Sequence, residues 1–92
     1  MTAVSIARPA LALGVRVHWD RVRERSVLLY PEGALTLNQT AVEVLELCDG
    51  ERSLDEIAAT LGARYSGADV RADVEELLAA IAERGLVIDG RS

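Results

Sequence analysis

Phenylalanine and lysine are absent from the 92 residues, and cysteine, histidine and tryptophan occur once each. With one Trp and two Tyr, a core must be built from Leu, Val, Ile and Ala. The lone Cys48 excludes an internal disulfide, so a reducing, cytoplasmic setting is expected. His18 has no carboxylate or cysteine at metal-ligand spacing, so no metal is expected. Cys48 lies on an apolar helical stripe without a partner histidine, the position of a small buried hydrophobe rather than of a nucleophile. No window approaches the ~18 apolar residues of a membrane span. The N-terminus lacks the charged start and apolar run of a signal peptide. The glycines form neither a dinucleotide-binding fingerprint nor a phosphate loop, so neither a cofactor nor an enzyme activity is expected.

What is present is acidic and unevenly placed. Ten arginines face fifteen carboxylates, a formal net charge of −5, which argues against wholesale binding to nucleic acid or to an anionic membrane. Residues 1–30 carry five Arg against Asp20 and Glu24, a net of +3, and residues 31–92 carry five Arg against thirteen carboxylates, a net of −8. The helical part is the acidic part.

Residues 1–14 show no sustained period and read as an N-terminal arm, residues 15–88 as one domain, and 89–92 as a tail. Val15 to Asp20 alternates, with Val15, Val17 and Trp19 on one face and Arg16, His18 and Asp20 on a wet one. Arg21 to Arg25 is a charged connection. Val27 to Tyr30 is apolar at every position, the pattern of a strand covered on both faces, whereas Ala34 to Asn38 alternates and reads as half exposed. Between them, Pro31 suits a turn through its fixed φ and Gly33 through its access to positive φ. In a meander of three strands the third lies outermost, with a row of unpaired backbone groups.

Three helices follow. Asn38 and the pair Thr40/Glu43 compete as start signals for the first, whose stripe is Ala41, Val44, Leu45 and Cys48, with Asp49-Gly50 as its stop. Ser53 and Glu56 make a capping box for the second, striped by Leu54, Ile57, Ala58 and Leu61, with Gly62 as the expected stop. Tyr65 is placed to pin one helix against another. Ser66 and Asp69 announce the third, with Val70, Val74, Leu77, Leu78 and Ile81 on one face and Gly85 at its end. Leu86-Val87-Ile88 then packs back or makes a brief strand. The fold class is α+β, winged-helix-like, with a three-stranded antiparallel sheet followed by three helices.

Such an architecture often binds DNA, and a winged-helix DNA-binding regulator is the alternative reading. From Ala68 to Arg84, however, Arg71 and Arg84 stand against Asp69, Asp73, Glu75, Glu76 and Glu83, a surface that repels phosphate. Asp73, Glu75 and Glu76 read as a solvated helix face rather than paired catalytic carboxylates. The outer strand remains: an extended peptide can add to it, bonding to the backbone of Leu35 and Leu37 or their neighbours, while the third helix walls a groove for its side chains. The same edge could pair with a second copy as a homodimer.

The segments L-L-Y-P-E-G-A-L-T-L-N-Q-T-A, L-C-D-G-E-R-S-L-D-E-I and D-V-E-E-L-L together resemble the PqqD family of pyrroloquinoline quinone biosynthesis proteins, over about Val15 to Val87. The resemblance implies a non-catalytic chaperone without a cofactor. It would bind the ribosomally made precursor peptide PqqA and present it to the radical S-adenosylmethionine enzyme PqqE. It further implies docking along the third strand and third helix, which on this chain means Ala34, Leu35, Thr36, Leu37 and Asn38 with the exposed side of Val70, Asp73, Val74 and Leu77.

Overall fold

The computed structural model describes residues 7–90. Its elements run β1 (Pro9–Leu11), β2 (Arg16–Asp20), β3 (Arg25–Tyr30), β4 (Gly33–Leu37), α1 (Gln39–Glu46), α2 (Leu54–Arg64), α3 (Arg71–Glu83) and β5 (Val87–Asp89). β2, β3 and β4 form an antiparallel sheet in that order, followed by the three helices. A second, two-stranded sheet joins β1 to β5, with Pro9 opposite Asp89 and Leu11 opposite Val87. Residues from within the arm read from the sequence thus pair with the last strand. Gly50 N–H also donates to the Pro9 carbonyl at 2.9 Å, which ties β1 to the end of α1. Positions 1–6 of that arm and 91–92 of the tail lie outside the described residues.

Register follows from two tight connections. At the first, Asp20 Oδ1 accepts the N–H groups of Val22 and Arg23 at 3.1 and 3.2 Å, closing a four-residue turn so that Asp20 pairs with Arg25. The charged 21–25 segment is therefore a defined turn. At the second, only Pro31 and Glu32 lie between the paired Tyr30 and Gly33. Gly33 does not use the positive φ expected of it, which among the described glycines belongs to Gly14, Gly50, Gly67 and Gly85. It is packed instead: a Cβ there would stand 3.4 Å from Tyr30 Oη, so the small residue makes room for the tyrosine ring.

Cross-strand partners share a face, so Val17, Leu28 and Leu35 line the helix side of the sheet, and His18, Val27 and Thr36 the other. Leu28 is fully buried beneath the helices, in one cluster with Leu45, Ile57, Leu61, Val74 and Leu78. Val27 is also buried yet stands outside that cluster. The central strand is thus buried on both faces, at Leu28 within the helix-side core and at Val27 apart from it. Along β2 the cover runs out. Val15 is buried and Val17 half-buried, but Trp19, expected on the buried face, is 54% exposed.

Asn38 settles the start of α1, its Oδ1 accepting from Ala41 N–H at 2.7 Å. Thr40 is already inside the helix and cannot cap it, so the Thr40/Glu43 box is not formed. Glu43 is used elsewhere: it accepts from Tyr65 Oη at 2.8 Å and from Gln39 Nε2 at 3.1 Å. Tyr65, the C-cap of α2, thereby pins α2 to α1. Its hydroxyl is the main cause holding the Glu43 carboxyl below its ordinary range, with Gln39 second. A lowered folded-state pKa contributes stability that is present above the unfolded value and lost as pH falls through the folded one. Tyr65→Phe is therefore expected to raise the Glu43 midpoint and flatten the acid limb of stability. Carboxyl-carbon NMR titration checks this, and an unmoved midpoint counts against the bond.

The Ser53/Glu56 capping box of α2 is complete in both directions. Gly62, expected as a stop, lies inside α2 instead. Its Cβ would meet the Ala68 carbonyl oxygen at 2.8 Å, and the α2–α3 turn closes on it, Gly67 N–H donating to Gly62 O at 2.7 Å. Glycine to alanine within a helix ordinarily gains ~1 kcal/mol. Here the sign should reverse, with Gly62→Ala destabilising by about 1–3 kcal/mol through overpacking, as read from urea denaturation midpoints. α3 begins at Arg71, later than Ser66 or Asp69 suggested. Asp69 Oδ1 accepts from Arg71 N–H at 3.2 Å, while the Arg71 side chain pairs with Asp55 and Glu75 and fastens the start of α3 to that of α2.

Candidate functional site

Among the described residues β4 pairs only with β3, so its other edge carries no strand from them. Which backbone groups face outward follows from the two-residue loop, because Tyr30 and Gly33 must exchange their own hydrogen bonds and the pattern alternates from there. Leu35 and Leu37 then bond inward to Leu28 and Ser26, and the N–H and C=O groups of Ala34 and Thr36 point away from β3. Of the two sets the sequence left open, Leu35 and Leu37 or their neighbours, it is the neighbours Ala34 and Thr36 whose backbone faces outward. Their side chains follow the opposite rule: Leu35 is half-buried and Leu37 buried on the helix side, while those of Ala34 and Thr36 are exposed.

Beside this edge runs a groove. One hollow of ≈ 310 Å³ is bounded by Leu35, Thr36, Leu37, Asn38 and Ala41 on one side and by Leu77, Ala80 and Ile81 of α3 and its C-cap Arg84 on the other. It continues into a second hollow of ≈ 490 Å³ between Asn38, Thr40, Ala41 and Val44 and the α3 residues Asp73, Glu76, Leu77 and Ala80. Leu77 and Ala80 are common to both, so they form the middle of one α3 wall.

Of the sequence-derived positions, Leu35, Thr36, Leu37, Asn38, Asp73 and Leu77 come together at this groove, and Ala34 supplies edge backbone beyond it. Val70 and Val74 do not join them. Val74 is 1% exposed within the core, and Val70 lies at a separate depression with Ala58, Gly62 and Arg71. The reason is a helical offset. Val74, Leu78 and Ile81 form the stripe that faces the core, whereas Asp73, Leu77 and Ala80 each precede one of them and so lie about 100° round the helix. The sequence reading missed Thr40, Ala41, Glu76, Ala80 and Arg84. The signal available for the α3 members was that offset, hidden because a wall of small and charged residues looks like a solvated face.

No group of His, Cys, Asp and Glu among the described residues is placed to hold a metal ion. Cys48 is buried, its thiol directed at the Val44 carbonyl at 3.3 Å and pushed up to about 12, chiefly by burial. A thiol in that state is a packing group, not a nucleophile. The arrangement offers main-chain donors and acceptors, an apolar floor and charged rims, which is chemistry for binding an extended chain.

Residues 25–87 match the family model for coenzyme PQQ synthesis protein D, PqqD. The chain belongs to the PqqD family. It is similar to a PqqA binding protein of Methylococcus capsulatus, 38% identical over 73 residues that cover 79% of this chain and 78% of that protein. It is also similar to a PqqA binding protein of Kluyvera intermedia, 44% identical over 77 residues, with 83% and 84% of the two chains covered. Among solved structures, the PqqD truncation of Methylobacterium extorquens PqqCD superposes with a TM-score of 0.76 at 35% identity, covering 95% of this chain and 98% of that one. That protein is described as a functional, stand-alone recognition element for ribosomally synthesised and post-translationally modified peptides. The PqqD match includes β3, β4 and α3, the elements that build the groove. No helix among the described residues is long and apolar enough to cross a membrane.

Proposed function

We propose that this chain is a non-catalytic peptide chaperone of pyrroloquinoline quinone biosynthesis. It binds the precursor peptide PqqA as an added strand on the free edge of β4 and presents it to the radical S-adenosylmethionine enzyme PqqE. The observation that carries the binding mode is the outward-facing backbone of Ala34 and Thr36 directly beside an apolar groove. Membership in the PqqD family, whose relatives include PqqA binding proteins, supports the choice of peptide. Magnitudes show why both parts are needed. Two residues offer two donors and two acceptors, about 4 kcal/mol at a net ~1 kcal/mol each. Micromolar binding requires about 8 kcal/mol. The remainder needs at least ~160 Å² of apolar surface buried, about one large side chain placed between Leu35 and Leu77.

Titration of the 15N-labelled chain with PqqA at moderate salt tests this reading. Amide shifts are expected at Ala34, Thr36, Leu77 and Ala80. A titration that binds but leaves residues 34–38 and 77–84 unmoved would place the site elsewhere.

A further inference from the structure

We infer that the groove reads charge order, selecting an extended peptide with a basic residue, an apolar residue and an acidic residue at alternate positions, in that order from N- to C-terminus. This deepens the strand-addition reading and rests on it. Asp73 and Glu76 stand at one end of the groove, beside Asn38 and Thr40, and Arg84 at the other, beside Leu35. None of these three charged side chains has an ion-pair or hydrogen-bond partner among the described residues, whereas the neighbouring Arg71 is committed to Asp55 and Glu75. The rims are thus opposite in sign and available, with Leu77 and Ala80 between them.

Direction and spacing follow from the backbone. β4 runs from the Arg84 end toward the Asp73 end, so a strand added antiparallel, the more stable pairing, enters at the carboxylates and leaves at the arginine. Its side chains opposite Leu35 and Leu37 face the groove, and only alternate residues do so. Glu76 and Arg84 are separated by eight helical residues, about 12 Å along the axis. Four residues of extended chain span about 13 Å. A cation at one position therefore meets Asp73 and Glu76, the apolar side chain two residues on enters between Leu35 and Leu77, and an anion two further on meets Arg84.

The test uses nine synthetic nonapeptides with a central Leu and Lys, Gln or Glu placed two residues before and two after it, titrated against the full chain by fluorescence anisotropy. The order Lys-before, Glu-after is expected to bind about tenfold tighter than its reverse at low ionic strength, and the difference should collapse at roughly 0.5 M salt. The triple variant D73K/E76K/R84E, altered only at exposed positions, should invert the order. Equal binding of all nine, or an order that the triple variant leaves unchanged, overturns the inference. Amide shifts recorded with the same peptides separate the two ideas. Movement at Ala34 and Thr36 without charge preference removes the charge code alone, and no movement there removes strand addition with it.

Discussion

Thr36→Pro is expected to fold like the parent chain and to lose peptide affinity at least tenfold. Proline removes the outward N–H of residue 36 and puts its ring where an added strand must approach, while the bonds of β4 to β3 run through Gly33, Leu35 and Leu37. Edge strands tolerate proline where the missing N–H faces away from the sheet. Losing one hydrogen bond accounts for ~1 kcal/mol, and the steric block adds to it, beyond the 1.4 kcal/mol that makes a factor of ten. Thr36→Ala, which keeps the N–H, should bind nearly normally. Leu37→Pro should fail differently, by breaking the ladder to Ser26 and disturbing a buried side chain. Circular dichroism and calorimetric titration of the three variants check the set. A folded Thr36→Pro chain with unaltered affinity would remove β4 from the binding surface.

Leu28→Ala is expected to cost about 3–4 kcal/mol, the largest stability loss among the substitutions considered. Leu28 is 0% exposed at the centre of the middle strand, facing the helix layer, with Val17 and Leu35 beside it in register. Truncating a buried leucine forfeits its transfer free energy and leaves a cavity that rigid neighbours close only in part. For a domain whose whole stability is about 5–15 kcal/mol, that is a large share. Urea denaturation followed by far-UV dichroism measures it, and a loss below ~1 kcal/mol would show that the layers collapse to refill the space. The contrast with Thr36 is instructive, because the two substitutions, in adjacent strands, are expected to separate the fold from the proposed binding edge.

Much of this was legible along the chain because the signals were local. The Ser53/Glu56 box and the alternation of Ala34 to Asn38 depend on residues within a few positions of each other, and the structure has them as read, whereas of the stripe read on α3 Val74, Leu78 and Ile81 are buried and Val70 and Leu77 only half-buried. The parity of β4, left open between Leu35 and Leu37 and their neighbours, was decided by the register, in which a two-residue loop sets Gly33 opposite Tyr30. Other features were not legible. Pro9–Leu11 has no period to betray a strand three residues long, and it exists because Val87–Asp89 and Gly50 supply its partners from far along the sequence. Gly62 looked like a terminator because the carbonyl of Ala68, which requires its small size, comes close only after the turn has closed.

The groove divides in the same way. By itself the sequence determined the order of the three meander strands and the three helices, the capping of α1 by Asn38 or a near neighbour, the acidic character of α3 and the absence of any phosphate-binding or metal-binding pattern. Periodicity and charge are properties of neighbouring residues and survive without a partner. Tertiary structure alone decided that α3 turns Leu77, Ala80 and Arg84 toward β4 and Asp73 toward the start of α1 while Val74 enters the core. A helix carries several faces, and which one becomes a wall depends on where the sheet stands, a matter of packing between elements that no local pattern records.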